Sequence, residues 1–412
     1  MDYGCIGEKL SHSFSKEIHA CLADYTYEIR EIPRDELAGF MTARDFKAIN
    51  ITIPYKQDVI PYLDEIDPIA KSIGAVNTIV SRDGKLFGYN TDFAGMTALL
   101  SRAGIALAGR KVLILGSGGT SKTAVAVANA MGAREVYRIS RSAKDDCISY
   151  EDAVNTHADA EILINTTPCG MYPEPNTQPI DLVKFPRLIG VADAIYNPLR
   201  SRLIRQAHAL DIHATGGLYM LVAQAAVAVG HFLDTTINDD TIEQVYRAVR
   251  NDKQNLVLVG MPGCGKTTLG KHFAAEHGMS FIDTDDLIRK QVGTDIPTIF
   301  AERGEAGFRD IEQDVIRSLE SVQHTVIATG GGAILRGENV DILRANGRIC
   351  FLDRPLDALV TTADRPLSSN REKLEQRYSE RYDLYRAAAD FAVDCVSDIP
   401  KNLQRMEEGF IK

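Results

Sequence analysis

The sequence predicts an α/β protein in which parallel sheets are covered by helices, built from two successive runs of alternating strands and helices. Three observations predict this class. Short apolar runs alternate with helical stretches through the first half of the chain. A glycine-rich turn at 116–119 follows an apolar strand and opens a helix rich in Ala and Val. A second glycine-rich turn at 260–265 has the same context, and another alternation runs from 255 to about 395.

Composition limits the function classes. The chain has 412 residues, enough for two or three domains, with 45% apolar and 25% charged residues, as in soluble globular proteins. A net charge of −10 without a block of Lys and Arg argues against a nucleic-acid partner. Seven scattered cysteines form no C-x-x-C pair, which indicates free thiols. With no visible signal peptide and no run long enough to span a bilayer, we expect a cytoplasmic protein without a membrane partner. The oligomeric state is not predicted.

The elements follow in chain order. Strands are predicted at 49–53, 76–80, 111–115, 135–140, 161–165 and 256–259, and helices at 120–131 and 218–232. The polar segment 248–254 is the best candidate for a linker, because it lies directly before the strand that opens the second alternation.

The motif Gly260-x-x-x-x-Gly265-Lys266-Thr267 is a phosphate-binding P-loop in the required strand–turn–helix context. Its glycines let backbone N–H groups converge, and the helix dipole adds to that positive field. Lys266 would reach the β- and γ-phosphates of ATP, and the Thr267 hydroxyl would bind Mg²⁺. The predicted ATP-binding residues are Gly263, Cys264, Gly265, Lys266, Thr267 and Thr268. A chance glycine turn before a helix is the alternative.

The turn at 116–119 indicates a dinucleotide site, although Ser121 stands where the fingerprint has its last glycine. The next strand ends at 140–142, where an acidic residue would bind the ribose 2′-hydroxyl of NAD. Arg141 stands there, and a guanidinium binds a 2′-phosphate, so NADP(H) is predicted. A solvated surface arginine is the alternative reading of Arg141.

The first hundred residues carry three polar clusters that suit a small polyhydroxy acid. Hydroxyls alternate along 11–15 and would share one face if that segment were extended. Asn50, Thr52 and Lys56 lie near one sheet edge, and Asp92 ends a short strand. A Lys56–Asp92 pair would relay the proton that accompanies hydride transfer at an alcohol. Ordinary turn chemistry is the alternative for each cluster taken alone.

Together these clusters resemble shikimate dehydrogenase. The matching motifs over about 1–245 are Ser13-Phe14-Ser15, Asn50 to Lys56, Ile73 to Thr78, Gly88 to Asp92, Asn165 to Met171, Asp193 to Pro198 and Gly217 to Gln224. The resemblance implies Lys56 and Asp92 as the catalytic pair and Ser13 and Ser15 as contacts of the shikimate carboxylate. Around the ring it implies Thr52, Asn77, Asp92, Tyr196 and Gln224. For NADP(H) it implies Gly116, Ser117, Gly118, Gly119, Thr120, Ser140, Arg141, Ser142, Ala194 and Gly217.

Residues from 255 onwards resemble shikimate kinase, a fold like that of nucleoside-monophosphate kinases. The motifs are Phe281 to Asp285, Gly304 to Glu312, Gly330 to Gly332, Arg365 to Leu367 and Arg381 to Tyr385. The resemblance implies catalytic roles for Lys266, Asp283, Asp285 and Arg365, and Arg365 would also close over ATP. It implies that Mg²⁺ binds beside Thr267 and Asp283. Around the acceptor it implies Asp285, Arg309, Gly331, Gly332 and Arg381. A helix N-cap role for Asp283 and a solvated surface position for Arg381 are the alternatives. Only 356–364 separates Pro355 from Arg365, which is short for the family's lid.

These resemblances imply four regions: a substrate-binding domain at 1–100 completed by helices at 218–247, a Rossmann-like NADP domain at 101–217, the linker at 248–254, and a P-loop kinase domain at 255–412. They also imply two consecutive reactions, reduction of 3-dehydroshikimate with NADPH and phosphorylation of the shikimate 3-hydroxyl with ATP and Mg²⁺. Two alternatives stay open: a quinate/shikimate dehydrogenase with NAD preference fused to a kinase, and a non-catalytic metabolite sensor.

Overall fold

The structure, a computed structural model, describes residues 1–10, 13–142, 146–359 and 371–411. It divides into two compact units, Met1–Arg250 and Asn251–Lys412. The division falls within 248–254, the segment predicted as a linker, and most of that segment is helical. A helix runs over Asp239–Lys253, because Ile242, Val245 and Val249 recur at helical spacing and bury one face among otherwise polar residues.

The first unit begins with a six-stranded sheet. Its strands are β1 (Tyr3–Gly7), β2 (Tyr27–Glu31), β3 (Ala48–Ile51), β4 (Glu65–Ile66), β5 (Thr78–Arg82) and β6 (Lys85–Tyr89). The accompanying helices are α1 (Ser15–Leu22), α2 (Leu37–Ala43), α3 (Pro68–Ile73) and α4 (Thr91–Arg102). The strand order is β2-β1-β3-β5-β6-β4.

This first sheet is mixed, so the expectation of a wholly parallel sheet is wrong here. Strand β5 pairs antiparallel with both β3 and β6. The turn between β5 and β6 is Asp83-Gly84, and both residues have positive φ angles, 51° and 78°. An Asp-Gly pair suits a two-residue hairpin turn, which reverses the chain after β5.

The second sheet of this unit is parallel throughout. It contains β7 (Lys111–Leu115), β8 (Glu135–Ile139), β9 (Cys147–Ile148), β10 (Ile162–Asn165), β11 (Gly190–Asp193) and β12 (His213–Thr215) in the order β12-β11-β10-β7-β8-β9. Its helices are α5 (Gly119–Ala130), α6 (Tyr150–Thr156) and α7 (Arg202–Ala209). The order reverses between β10 and β7, and ligands of doubly wound sheets bind at such a switch point. The predicted Rossmann-like arrangement is confirmed.

Two helices, α8 (Leu218–Leu233) and α9 (Asp239–Lys253), end the unit. Helix α8 is apolar nearly all round and packs against α4 and α1. The packing is close because α4 carries Gly95, where an added Cβ would lie 2.7 Å from the carbonyl oxygen of Met220. This contact brings the middle of α8 to the edge of the first sheet.

The second unit has one parallel sheet. Its strands are β13 (Asn255–Val259), β14 (Ser280–Asp283), β15 (Thr325–Ala328), β16 (Gly347–Asp353) and β17 (Phe391–Asp394), in the order β14-β15-β13-β16-β17. The helices are α10 (Lys266–Glu276), α11 (Thr284–Val292), α12 (Ile296–Ser318), α13 (Gly337–Asn346), α14 (Arg371–Ala388) and α15 (Ile399–Ile411). Short 3₁₀ segments of the chain lie at Ile60–Tyr62, Leu182–Lys184, Ala333–Leu335 and Leu356–Ala358. In the described part of the chain, no helix is both long and apolar enough to cross a membrane.

Candidate active sites

A buried ion pair lies at the edge of the first sheet. Lys56, in the turn after β3, donates from Nζ to Oδ2 of Asp92 over 2.5 Å, and their side chains are only 13% and 8% exposed. Asp92 stands in the first turn of α4, where the helix dipole favours a carboxylate. The two residues predicted to form a pair are therefore brought together.

Amide groups fix the orientation of this carboxylate. Nδ2 of Asn77 donates to Oδ1 of Asp92 over 2.9 Å, and Oδ1 of Asn77 accepts from the backbone N–H of Thr91 over 2.7 Å. Oε1 of Gln224 accepts from Thr91 Oγ1 over 3.2 Å and from Asn77 Nδ2 over 3.4 Å. Gln224, on α8, therefore joins the network around Asp92 through Asn77 and Thr91.

Ser13 and Ser15, predicted to bind the substrate carboxylate, also lie close together, but their segment is not extended as expected. Ser15 begins α1 and Phe14 has φ −87° and ψ 3°, so the segment is turned rather than extended. The turn places Oγ of Ser13 3.1 Å from Oγ of Ser15. The Phe14 ring packs against Tyr196 at 5.1 Å between centroids, and burial raises the pKa of the Tyr196 phenol to about 12. Thr52, next to β3, is partly exposed, and 11–12 lie outside the described residues.

The glycine-rich turn after β7 lies beside this ion pair. An added Cβ at Gly119 would be 3.4 Å from Cβ of Lys56. At Gly116, φ is 122° and an added Cβ would lie 2.6 Å from Oγ1 of Thr166, so the position requires glycine. Ser121 is accommodated because its hydroxyl donates to the Gly118 carbonyl over 2.8 Å. The remaining predicted members of the turn, Ser117 and Thr120, lie between these positions.

Two further groups of residues are predicted to contact the cofactor. The loop after β8 holds Ser140, Arg141 and Ser142 at the same sheet edge as the turn after β7, with Arg141 exposed and the two serine Oγ atoms 3.3 Å apart. At Gly217 an added Cβ would lie 2.2 Å from the carbonyl oxygen of Ala194, so these residues are in close contact.

In the second unit the P-loop wraps around the ammonium group of Lys266. Gly260, Gly263 and Gly265 all have positive φ angles, 144°, 83° and 104°. Nζ of Lys266 donates to the carbonyls of Gly260 and Met261 over 2.8 and 3.1 Å. The lysine therefore lies against the loop, and it lines the cavity beside it. Cys264, within the loop, is buried, and Thr268 is exposed in the first turn of α10.

The predicted magnesium residues contact each other. Oγ1 of Thr267 donates to Oδ2 of Asp283 over 2.8 Å. Oδ1 of Asp283 also caps α11 by accepting from the N–H of Asp285 over 3.0 Å, so the capping alternative and the contact with Thr267 coexist. A hydroxyl and a carboxylate oxygen are hard donors that fit Mg²⁺, which takes its other ligands from phosphates and water.

A cavity of about 520 Å³ extends from the P-loop to the predicted acceptor residues Asp285, Arg309, Gly331, Gly332 and Arg381. Nη1 of Arg309 donates to Oε2 of Glu312 over 2.6 Å, and Nη1 of Arg381 donates to the Gly331 carbonyl over 3.1 Å. An added Cβ at Gly332 would lie 2.2 Å from Nη2 of Arg309, so only glycine leaves room there. Arg381 is buried rather than solvated. Arg365 and the segment 360–370, where most of the predicted lid falls, lie outside the described residues.

Comparisons with known proteins identify the families of both parts of the chain. Residues 5–79 match the family model of the shikimate dehydrogenase substrate binding domain, and residues 262–406 match that of shikimate kinase. The shikimate dehydrogenase (NADP(+)) of Clostridium beijerinckii is 34% identical over 265 residues, which cover 61% of this chain and 98% of that protein. The chain belongs to the shikimate dehydrogenase family. C-terminal to the dehydrogenase part, the chain carries a shikimate kinase domain, so both predicted resemblances are confirmed.

Solved shikimate dehydrogenases have the same fold as the first part of this chain. Shikimate dehydrogenase 1 from Peptoclostridium difficile matches at 33% identity with a TM-score of 0.57, over 60% of this chain and 98% of its own. The enzyme from Thermus thermophilus, solved in complex with NADP(H) and shikimate, matches at 28% identity with a TM-score of 0.55, over 60% of this chain and 99% of its own.

Several residues at the dehydrogenase site were missed from the sequence. Tyr27 donates from its phenol to Oδ1 of Asn50 over 2.7 Å, and Nδ2 of Asn50 donates to Oγ1 of Thr78 over 3.1 Å. Thr91 could have been predicted as a site residue from the sequence, since it stands directly before Asp92 in the motif. Tyr27 could not, because only the pairing of β1 with β2 and β3 brings it near Asn50.

The kinase site has two such residues. Glu312 is 1% exposed at its side chain and is paired with Arg309, and its position in the motif could have revealed it. Burial raises the pKa of Glu312, and Arg309 opposes that shift. Arg377 lines the same cavity and stands four residues before Arg381, a spacing that could have indicated a shared helix face.

Proposed function

We propose that the chain is a bifunctional enzyme of the shikimate pathway. The unit Met1–Arg250 reduces 3-dehydroshikimate to shikimate with NADPH. The unit Asn251–Lys412 then phosphorylates the 3-hydroxyl of shikimate with ATP. The observation that carries this proposal is the buried Lys56–Asp92 pair lying beside the glycine-rich nucleotide turn, since it unites an acid–base group with a cofactor cradle.

The dehydrogenase reaction needs one proton at the oxygen of the carbonyl group that receives the hydride. NADPH supplies the hydride, and the protein supplies binding and the proton. Lys56 donates the proton to the carbonyl oxygen as the alcohol forms, and Asp92 holds the ammonium in place through its 2.5 Å contact. Asn77 keeps the carboxylate oriented, Gln224 is hydrogen-bonded to Asn77, and both amides offer hydrogen bonds to ring hydroxyls.

The kinase reaction needs charge neutralisation and positioning more than covalent chemistry. Mg²⁺ held beside Thr267 and Asp283 neutralises phosphate charge when ATP is bound. Asp285 faces the triple glycine, since an added Cβ at Gly330 would lie 2.9 Å from its Oδ1, and there it orients the acceptor hydroxyl and takes its proton. Arg309 and Arg381 hold the carboxylate of shikimate by paired N–H donors.

The proposal also covers the preferred nicotinamide cofactor and the cellular location. Arg141, exposed at the end of β8, supports binding of the 2′-phosphate and hence NADP(H) over NAD(H). The seven cysteines are all free and five of them are buried, which supports a reducing, cytoplasmic location.

The proposal is tested by assaying the purified chain for each half separately. We expect shikimate-dependent reduction of NADP⁺ and, with ATP and Mg²⁺, shikimate-dependent release of ADP. Absence of the first activity removes the dehydrogenase half, and absence of the second removes the kinase half. Faster turnover of quinate with NAD⁺ would assign the first unit to quinate. Tight binding of shikimate without any turnover would make the chain a sensor.

A further inference from the structure

A third arginine lines the kinase cavity besides the two proposed to hold the acceptor. Arg377 lies on α14, four residues before Arg381, and both side chains line the cavity that Arg309 also lines. Residues four apart on a helix lie on the same face about one turn apart. The helix therefore presents two guanidinium groups in a row to the same space.

The hydrogen bonding of these arginines differs. Arg309 donates to Glu312 and Glu305, and Arg381 donates to the Gly331 carbonyl. Nη1 of Arg377 is buried and has no hydrogen-bond partner among the described residues. Nε of Arg309 is in the same situation, but its Nη1 and Nη2 are both paired. A buried guanidinium nitrogen without an acceptor is unfavourable, and a bound anion would supply one.

The charges around Arg377 place it on the acceptor side of the cavity. Burial is the main cause that lowers its pKa, and the charge of Arg381 adds to that effect more than the charge of Arg309 does. Glu305 and Glu380 act in the opposite direction. Glu305 is half exposed and already contacts Arg309 at 3.3 Å. The guanidinium groups of Arg309, Arg377 and Arg381 thus line one part of the cavity, where the buried Glu312 offsets part of the charge of Arg309.

We propose that Arg377 is a third contact for the carboxylate of the acceptor, so that Arg309, Arg377 and Arg381 bind this anion together. The inference rests on the proposed phosphorylation of shikimate. A carboxylate has about four lone-pair sites on its two oxygens, so it accepts from three guanidinium groups. Arg377 would make the kinase unit selective for a carboxylated acceptor, and it has no part in phosphoryl transfer.

The test compares Arg377→Leu and Arg377→Gln with a matched control, Arg386→Leu, on the same helix. Arg386 is exposed and does not line the cavity. With shikimate, both Arg377 variants should raise KM roughly ten- to a hundredfold, as for loss of a hydrogen bond to a charged group. The kcat and the KM for ATP should change less than about threefold. Arg386→Leu should behave like the unchanged chain.

The methyl ester of shikimate separates charge recognition from packing. Because the ester carries no negative charge, its KM should be nearly the same for the unchanged chain and for both Arg377 variants. An equal rise in KM for acid and ester would mean that Arg377 only packs against the ring, and would overturn the proposal. A rise in the KM for ATP, or a fall in kcat alone, would overturn it by moving Arg377 to the phosphoryl group.

The same assays distinguish failure of the proposed kinase function from failure of the role proposed for Arg377. An unchanged chain that does not phosphorylate shikimate overturns both the kinase assignment and this inference. An active unchanged chain whose Arg377 variants keep the KM for shikimate overturns the inference alone. Unaltered KM for ATP in the same assays shows that the variants are folded.

Discussion

Nζ of Lys56 lies 2.5 Å from Oδ2 of Asp92, and the other oxygen of that carboxylate is held by the side-chain amide of Asn77. Both partners are nearly buried. An ammonium in this setting is fixed in position and is shielded from bulk water. The contact therefore supports Lys56 as the proton donor, with Asp92 as its orienting partner.

Replacing Lys56 tests this role. Lys56→Ala should lower the rate of NADP⁺-linked shikimate oxidation by roughly 10²–10⁴-fold, because the proton that the hydroxyl releases has no positioned acceptor. The exposed Lys85, which pairs with Glu65 at 3.5 Å, is the matched control, and Lys85→Ala should change the rate little. Steady-state kinetics measure both. A loss below tenfold in Lys56→Ala would reassign the acid–base role.

Replacing the P-loop lysine tests the second unit. Lys266→Ala should abolish shikimate-dependent ADP formation, because no other cation in the described loop reaches the phosphate position, and should leave the redox rate intact. Lys290, exposed on α11, is the control, and Lys290→Ala should keep both activities. Loss of both activities in Lys266→Ala would mean that the two units do not work independently.

The phenol of Tyr27 is expected to position Asn50 and, through it, the polar cluster around Asp92. Tyr27→Phe leaves Oδ1 of Asn50 without its 2.7 Å donor. The kcat/KM for shikimate should fall by about tenfold, while the KM for NADP⁺ stays unchanged. Tyr25→Phe is the control, since its hydroxyl contacts His19 instead. Equal kinetics for the two variants would exclude the positioning role.

The buried carboxyl of Asp193 predicts a pH-dependent stability. Burial raises its pKa from 3.8 to about 6, although Ser201, the N–H of Ile195 and Asn165 donate to it. Below pH 4 both folded and unfolded forms are protonated. Between about pH 4 and 6 only the unfolded form loses the proton, so this group's contribution to the free energy of unfolding falls as pH rises, by roughly 2–3 kcal/mol.

Asp193→Asn removes that titration while keeping an oxygen acceptor. Hydrogen exchange of peptides containing β10 and β11 should show the unchanged chain losing protection relative to the variant as pH rises through this window. Comparing both chains at each pH cancels the intrinsic exchange rate. A protection difference that does not vary with pH would contradict the raised pKa.

The sequence predicts those parts of the sites that lie where strands end. Lys56 and Asp92 are 36 residues apart, but each follows a strand of one sheet, so their meeting was predictable. The P-loop was equally clear, because its glycines, lysine and threonine are contiguous. Glycine spacing is a local property, and it specifies the backbone conformation directly.

Features that depend on tertiary pairing were not predicted. The antiparallel β5 was missed because apolar runs alone do not report strand direction, even though Asp83-Gly84 marks the reversal. The sequence predicts the end of helix α9 as part of a linker, because only three residues of the helix are buried. Tyr27 and Arg377 act on the sites through neighbours that are distant in sequence, or through a helix face whose orientation only the packed structure defines.

If one polypeptide carries out two consecutive reactions on the same ring, the product of the first unit is the substrate of the second. The most direct measurement is a single incubation of the chain with 3-dehydroshikimate, NADPH, ATP and Mg²⁺, in which NADPH oxidation, ADP and phosphorylated product are followed together. The amounts of NADPH consumed, ADP released and shikimate 3-phosphate formed should become equal at completion. Oxidation of NADPH that stops at shikimate, or ADP release that does not depend on the reduced product, would contradict this sequence of reactions.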